Sequence, residues 1–320
     1  MRQLLARPLV AFVLLLGTAM VGSLALAQYP EQPVTYTIPF NPGGESDVTA
    51  RLQQAGLEEA LGVDVVIQNQ AGGGGAVAWG DFQRSANADG YSVIGVNLPH
   101  IIAQPVSRDD AGYTTDGFES LYWFHFTPSA LVVKADSEFQ TLEDFIAFAQ
   151  ENPQVLTLGG SGTFSANHLE TLRLENEAEV DVTYIPFTGS APTYPALLGG
   201  HVTALMSYST APFALGEDEV RVLAVASEER LPFLPDVPTF TELGYDIVGG
   251  AYRGVAVPEG TSEEAKTALV EAFTSVTESI SQDQSDLGYL PTMISGEEAQ
   301  AVIEEMRSNY QPVIEAELGE

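Results

Sequence analysis

The sequence predicts an α/β fold in two lobes, joined by a hinge and separated by a cleft. Three observations carry that expectation. Short apolar runs recur, each followed by a Gly- and Ser-rich joint and then a helical segment, the signature of largely parallel sheets covered by helices. These units fall into two groups, parted by FESLYWFHFTPSALVVKAD near residues 118–136 and again by GYDIVGGAYRGVAVPEG near 244–260, so the chain crosses between lobes twice. The 320 residues are 45% hydrophobic and only 18% charged, enough apolar mass for two cores.

The chain opens with MRQLLARPLVAFVLLLGTAMVGSLALA, in which Arg2 and Arg7 precede an apolar stretch closing on Ala25, Leu26 and Ala27. This reads as a signal peptide over residues 1–27, cleaved near Ala27, and points to a periplasmic destination. An uncleaved membrane anchor is the alternative, since the run is long enough to span a bilayer. The chain has no Cys, so neither a lipid anchor at the cleavage point nor a disulfide framework is available.

The units then follow in order. VTYTIPF leads through NPGGESD to a helix near VTARLQQAGLEEAL; DVVIQNQ leads through AGGGG to AVAWGDFQRSA; and ADGYS is a turn feeding the strand SVIGVNL. Beyond the first crossing, VLTLGG leads through SGTFSA to NHLETLRLE, and DVTYIPF through TGSAP to TYPALLGG, followed by the strands VTALMSY and VRVLAVA. The C-terminal part reads as helices opened by two capping boxes, Thr261 with Glu264 and Ser295 with Glu298. Residues 28–128 plus 251–320 are expected to form lobe one and 129–250 lobe two.

Charge excludes several functions. Arg2 and Arg7 take two of the twelve basic side chains, leaving ten against 44 acidic ones, so nucleic acid is not an expected partner. Acids scattered over helix faces suit a halophilic, salt-adapted protein, because at about 1 M salt the Debye length falls to roughly 3 Å. No cofactor is expected, for AGGGG lacks the Lys of a phosphate-binding loop. His100, His125, His168 and His201 show no ligand spacing, so no metal is expected either. Around Ser161, GGSGT departs from a nucleophile elbow at Thr163, and no catalytic residue is assigned.

The joints suggest what the cleft holds. A helix N-terminus offers unpaired N–H groups and a partial positive charge, and glycines let a ligand's oxygens approach the backbone. Two such joints in each lobe, facing across a hinge, would grip a small carboxylate without lysines.

PFNPGGESDVTARL, QAGGGGAVA, ADGYSVIGVN, GGSGTFSANHL, VTYIPFTGSAPTYPALLGGHVTALM and LPFLPDVPTFTELGYDI, in this order, resemble the motif series of the periplasmic receptors of tripartite tricarboxylate transporters, the Bug family. The resemblance runs over most of residues 29–280. It implies a type II periplasmic binding protein, a monomer that performs no chemistry and closes its hinge over an organic anion. Its partners would be a small di- or tricarboxylate or related acid and an integral membrane permease of large and small subunits. Carried over by motif, the contact residues would be Phe40, Gly43, Gly44, Ser46 and Asp47 from the first joint and Gly73 and Gly74 from the second. Ser161, Thr163, Ser165, Thr188, Gly189 and Ser190 match in lobe two, with Asp47 read as a cap or supporting group on the helix start.

Three positions depart from the family pattern. Glu45 stands where a small or polar residue is common, Thr188 where many members carry Lys, and Ser207 and Tyr208 near a place that is often acidic. Tyr208 and Arg253 join the candidates, and Glu45 leaves two readings open: it pairs with Arg253, or it meets a ligand amine or hydroxyl. A secreted small-ester hydrolase using Ser161 and a receptor presenting to a sensor kinase are the functional alternatives.

Overall fold

The computed structural model describes residues 29–107 and 111–319, so the signal-peptide reading lies outside the described residues. In chain order the elements are β1 (Val34–Ile38), α1 (Glu45–Leu61), β2 (Val65–Asn69), α2 (Ala76–Ser85), β3 (Ser92–Leu98), α3 (His100–Ser107) and β4 (Phe118–Lys134). There follow α4 (Leu142–Glu151), β5 (Thr157–Gly160), α5 (Ala166–Ala178), β6 (Thr183–Pro186), α6 (Thr193–Leu198), β7 (Ala204–Tyr208), α7 (Ala211–Leu215) and β8 (Val220–Val225). The chain ends with β9 (Gly250–Pro258), α8 (Glu263–Asp286), β10 (Leu290–Ser295) and α9 (Gly296–Leu318).

One long strand organises both lobes. The first part of β4 pairs with β9 in the sheet ordered β2-β1-β3-β9-β4, while its last residues, Ser129 to Lys134, pair with β7 and β8 in the second sheet, which continues through β5 to β6. The break falls at Pro128, and there the second crossing returns: Ser129 N–H donates to the Gly249 carbonyl at 3.0 Å and Gly249 N–H to Ala226 at 3.0 Å. This crossing runs as irregular chain up to Gly250, where β9 begins.

The sheets are mixed rather than largely parallel. β1 with β2 and β3, and β5 with β6 and β7, are parallel, but β4, β9 and β10 all pair antiparallel. Strands that carry the chain between lobes run against those returning through crossover helices. Apolar cores fill both faces of each sheet. Trp79, Ile94 and Trp123 pack on one face of the first sheet, and Tyr36, Leu57 and Phe273 on the other. In the second lobe the corresponding sets include Phe145, Leu158 and Leu174, and Leu197, Leu205 and Val225.

Three helix starts differ from expectation. α1 begins at Glu45, with Gly44 as N-cap and no side-chain cap bond, because Asp47 accepts from the preceding Gly43 N–H at 2.8 Å instead. α8 is capped by Ser262, whose hydroxyl accepts from Ala265 N–H, while Thr261 turns to the Pro258 carbonyl, so the Thr261–Glu264 box does not form. Ser295 is the N-cap of α9 but makes no cap bond, leaving the second box unformed as well. A reciprocal box does open α4, between Thr141 and Asp144.

Candidate functional site

The strand-to-helix joints of the two lobes meet face to face. Between β1 and α1, Gly43 takes φ +78°, a conformation glycine adopts freely, and turns the chain so that the Glu45 N–H donates to Ser190 Oγ at 3.3 Å across the cleft. The next joint, between β2 and α2, meets the joint between β5 and α5 so closely that a Cβ on Gly162 would lie 2.9 Å from Gly74 Cα. Both contacts need bare backbone at the crossing.

Seven of the sequence candidates converge on one polar cleft: Phe40, Glu45, Ser46, Ser161, Ser190, Tyr208 and Arg253, joined by Asn97 and His100. The side chains close in so far that the gap left between them is about 10 Å3, roughly the room of one water. A second crevice, beyond the Gly74–Gly162 crossing, collects Gly73, Gly74, Thr163 and Thr188 beside Phe164 and Phe187, with no charged side chain lining it among the described residues. The other candidates support these walls. Ser165 caps α5 through the His168 N–H and donates to the Gly162 carbonyl at 2.8 Å, and Gly189 lies against Phe40 and Asn41. Gly43 and Gly44 shape the first turn.

Asp47 is turned away from the cleft. It receives Gly43 N–H, Arg51 Nε at 2.9 Å and Asn69 Nδ2 at 2.9 Å. Burial alone would raise its pKa, but Arg51, the Gly43 amide and Asn69 together hold it below the usual carboxylate range. A carboxylate so supplied with donors fixes the joint.

Arg253 and Glu45 form the electrostatic centre. Arg253, on β9, is 2% exposed; one terminal nitrogen donates to Thr127 Oγ1 on β4 at 2.7 Å and the other pairs with Glu45, 5% exposed. The Tyr208 ring lies under the guanidinium, 4.6 Å from its carbon. Thr210, from the second lobe, donates its hydroxyl to the other Glu45 oxygen. Burial pushes the Glu45 carboxyl up to about 7, with Arg253 restraining the rise. Burial works against the Arg253 charge too, but Glu45, Tyr208, Tyr289 and Tyr194 outweigh it and leave Arg253 above its ordinary value.

The remaining polar groups are neutral. Burial, then Arg253, lowers His100 to about 3, and burial lowers His168 to about 4; His168 Nδ1 accepts the Phe164 N–H at 3.2 Å, a structural bond. Burial pushes the Tyr208 phenol up to about 12, moderated by the adjoining Arg253 and Ser161. Ser161 Oγ, Tyr208 Oη and Arg253 Nε are buried and adjoin one another without a well-aligned hydrogen bond, an arrangement that costs stability unless something polar meets them.

Sequence reasoning missed Asn97 and His100 at the lining and Thr127, Thr210, Tyr194 and Tyr289 behind it. Asn97 and His100 bracket a third strand-to-helix joint, β3 to α3, whose signal was a strand ending in NLPH without glycines.

Among the described residues no group of three or more His, Cys, Asp or Glu is placed to hold a metal ion, and no helix is long and apolar enough to cross a membrane. The closed, charge-balanced cleft between lobes suits reversible capture of a small polar solute.

Comparison with known proteins agrees. Residues 49–318 match the model of the tripartite tricarboxylate transporter family receptor. BugT of Bordetella pertussis is 30% identical over 270 residues, covering 80% of each chain, and a UPF0065 protein from the tcbD-tcbE intergenic region of Pseudomonas sp. strain P51 is 31% identical over 80% of this chain and 76% of its own. Among solved structures, Rpa4515 of R. palustris with adipate superposes with a TM-score of 0.85 at 29% identity, covering 91% of this chain and 98% of that one. MatC of Rhodopseudomonas palustris with bound malate gives 0.82 at 28%, covering 89% and 100%, and the periplasmic binding protein BugD gives 0.84 at 26%, covering 91% and 99%. These relatives are two-lobed solute-binding proteins rather than enzymes, which removes the hydrolase reading of Ser161. The chain belongs to the tripartite tricarboxylate transporter receptor family and is a solute-binding receptor for carboxylates.

Proposed function

We propose that the chain is exported to the periplasm after cleavage near Ala27, closes its cleft around one small organic acid and delivers it to a membrane permease of large and small subunits. The observation that carries the reading is the meeting of joints from both lobes around the buried Arg253, the one cation lining the cleft among the described residues. Lobe one would comprise residues 28–128 and 251–320 and lobe two 129–250, a division supported by the break in pairing along β4 at Pro128. The contact set is the converging group Phe40, Glu45, Ser46, Ser161, Ser190, Tyr208 and Arg253, extended by Gly73, Gly74, Thr163 and Thr188 at the second crevice. That adipate and malate occupy solved relatives supports an acid of similar size here.

The ligand acts by binding the closed form more tightly than the open one, and the permease reads closure. The test is thermal unfolding of the purified protein with a panel of carboxylates. A ligand at 100 times its Kd adds about 2.7 kcal/mol of stability, a shift of several degrees. Arg253→Ala should remove that shift, because truncating a buried charged hydrogen-bonding group costs about 2–5 kcal/mol of binding. An undiminished response in Arg253→Ala would refute the assignment.

A further inference from the structure

The cleft is balanced in charge and unbalanced in hydrogen bonding. Among the described residues its lining carries one cation, Arg253, and one anion, Glu45, both buried, and every other polar lining group is neutral. Beside the pair cluster three buried groups able to donate, Arg253 Nε, Tyr208 Oη and Ser161 Oγ, close to one another but without a well-aligned hydrogen bond. Three donors, one of them cationic, are the complement of a carboxylate. Glu45 Oε2 touches Arg253 but accepts no hydrogen bond, while Oε1 takes only the Thr210 hydroxyl. A carboxylate with spare acceptor capacity is the complement of an ammonium group.

Resting on the carboxylate-receptor reading above, we propose that the ligand is a zwitterion of net charge zero, an amino acid or kindred amino acid derivative. Its carboxylate meets Arg253, Tyr208 and Ser161, and its ammonium meets Glu45. Electrostatics favours this class over a plain di- or tricarboxylate. Glu45 offsets Arg253 when ionised, so a dianion would bring more negative charge into the buried cleft than Arg253 balances, even where Glu45 takes up a proton. Among the described residues no second cation lines the adjoining crevice at Phe164 and Phe187 to meet a distal carboxylate, so an uncharged side chain fits it better than an acidic one. Arg253 and Glu45 both belong to the first sheet and its helices, whereas Ser161, Tyr208 and Thr210 come from the second lobe.

The experiment uses the full protein, unfolded and refolded to strip any carried-over solute, and isothermal titration against sets matched in carbon skeleton: a neutral amino acid, the corresponding hydroxy acid, the plain monocarboxylate and the dicarboxylate. The expected result is that neutral amino acids bind at least tenfold more tightly than their hydroxy and desamino counterparts. Glu45→Gln should compress that preference to within about threefold. Titration of the unmutated protein at pH 7 in buffers of different ionisation enthalpy gives a second readout that does not depend on the variant folding. The groups facing Glu45 are Arg253 from β9, Tyr208 from β7, Tyr194 from α6 and Tyr289 ahead of β10. None of the tyrosines ionises near pH 7, and His100, which lines the same cleft, is held neutral by burial and Arg253, so exchanged protons report Glu45. An arriving ammonium holds Glu45 ionised and releases protons, whereas a dianion takes them up. Tighter binding of a dicarboxylate, equal binding of the hydroxy acid, or proton uptake would each overturn the proposal while leaving the receptor reading in place. Failure of every acid in the panel to bind would overturn both.

Discussion

Replacing Glu45 with Gln tests the electrostatic account of the cleft in a single measurement. The Glu45 carboxyl titrates at about 7 in the folded chain against an ordinary value of 4.5, raised by burial and partly restrained by Arg253. Because the folded pKa lies above the unfolded one, the folded state binds more protons between the two values. Stability from this group is therefore greatest below pH 4.5 and is lost as pH rises through 7. At 1.36 kcal/mol per unit of pKa difference, the loss across that window is about 3 kcal/mol. Gln cannot titrate, so the difference in unfolding free energy, wild type minus Glu45→Gln, should fall by about 3 kcal/mol from pH 4.5 to pH 7.5 and stay flat beyond. Urea denaturation of both proteins at half-unit pH steps, at constant molar salt, reads this directly, and the other acids titrate equally in both chains and cancel. Parallel stability curves would refute the reasoning, since they would mean that Arg253 and the Thr210 hydroxyl hold the buried carboxylate ionised as firmly as water does.

Gly162→Ala should lower ligand affinity at least tenfold in calorimetry and destabilise by about 1–3 kcal/mol, because φ is +127° and the new Cβ meets Gly74 Cα at 2.9 Å. Tyr310→Phe should cost about 1–3 kcal/mol in urea denaturation, since the Tyr310 hydroxyl donates to the buried Glu170 at 2.5 Å and accepts the Gly250 N–H at the inter-lobe crossing. With a net charge of −32, the chain should melt at higher temperature in 2 M than in 0.1 M sodium chloride; a melting point that does not rise would count against salt adaptation.

The fold was legible where local chemistry is repetitive. Each strand, joint and helix of the parallel units carries its own apolar run and its own glycines, so β1 to α1 and β5 to α5 could be read residue by residue. The two crossings were visible as breaks in that rhythm. Helix starts were less readable because neighbouring hydroxyls compete: Thr261 and Ser262 both offer an oxygen, and Ser262 takes the cap because Thr261 is occupied by Pro258. The glycine joints of the cleft declared themselves for the same reason as the strands. Thr127, Thr210, Tyr194 and Tyr289 gave no local signal, since each reaches the Arg253–Glu45 pair only through tertiary folding. Glu45 and Arg253 could be nominated from a departure in pattern and from the scarcity of cations, but their contact spans 208 positions of chain and is a property of the fold.

The acidic surface and the balanced cleft answer to different physics. Surface carboxylates interact through water, so at about 0.15 M salt their field decays over roughly 8 Å and at about 1 M over roughly 3 Å. An approaching anion is therefore repelled at low salt and hardly at high salt, which makes the association rate rise with ionic strength. Glu45 and Arg253 are buried, so salt screens their contacts with a bound solute much less. Dissociation, governed by those contacts, should be nearly independent of salt. For a solute of net charge zero even the association rate would change little, because a strongly negative surface exerts no net force on it at long range. A receptor built this way keeps the surface charge that holds it in solution and still captures its ligand at a rate the surface does not limit.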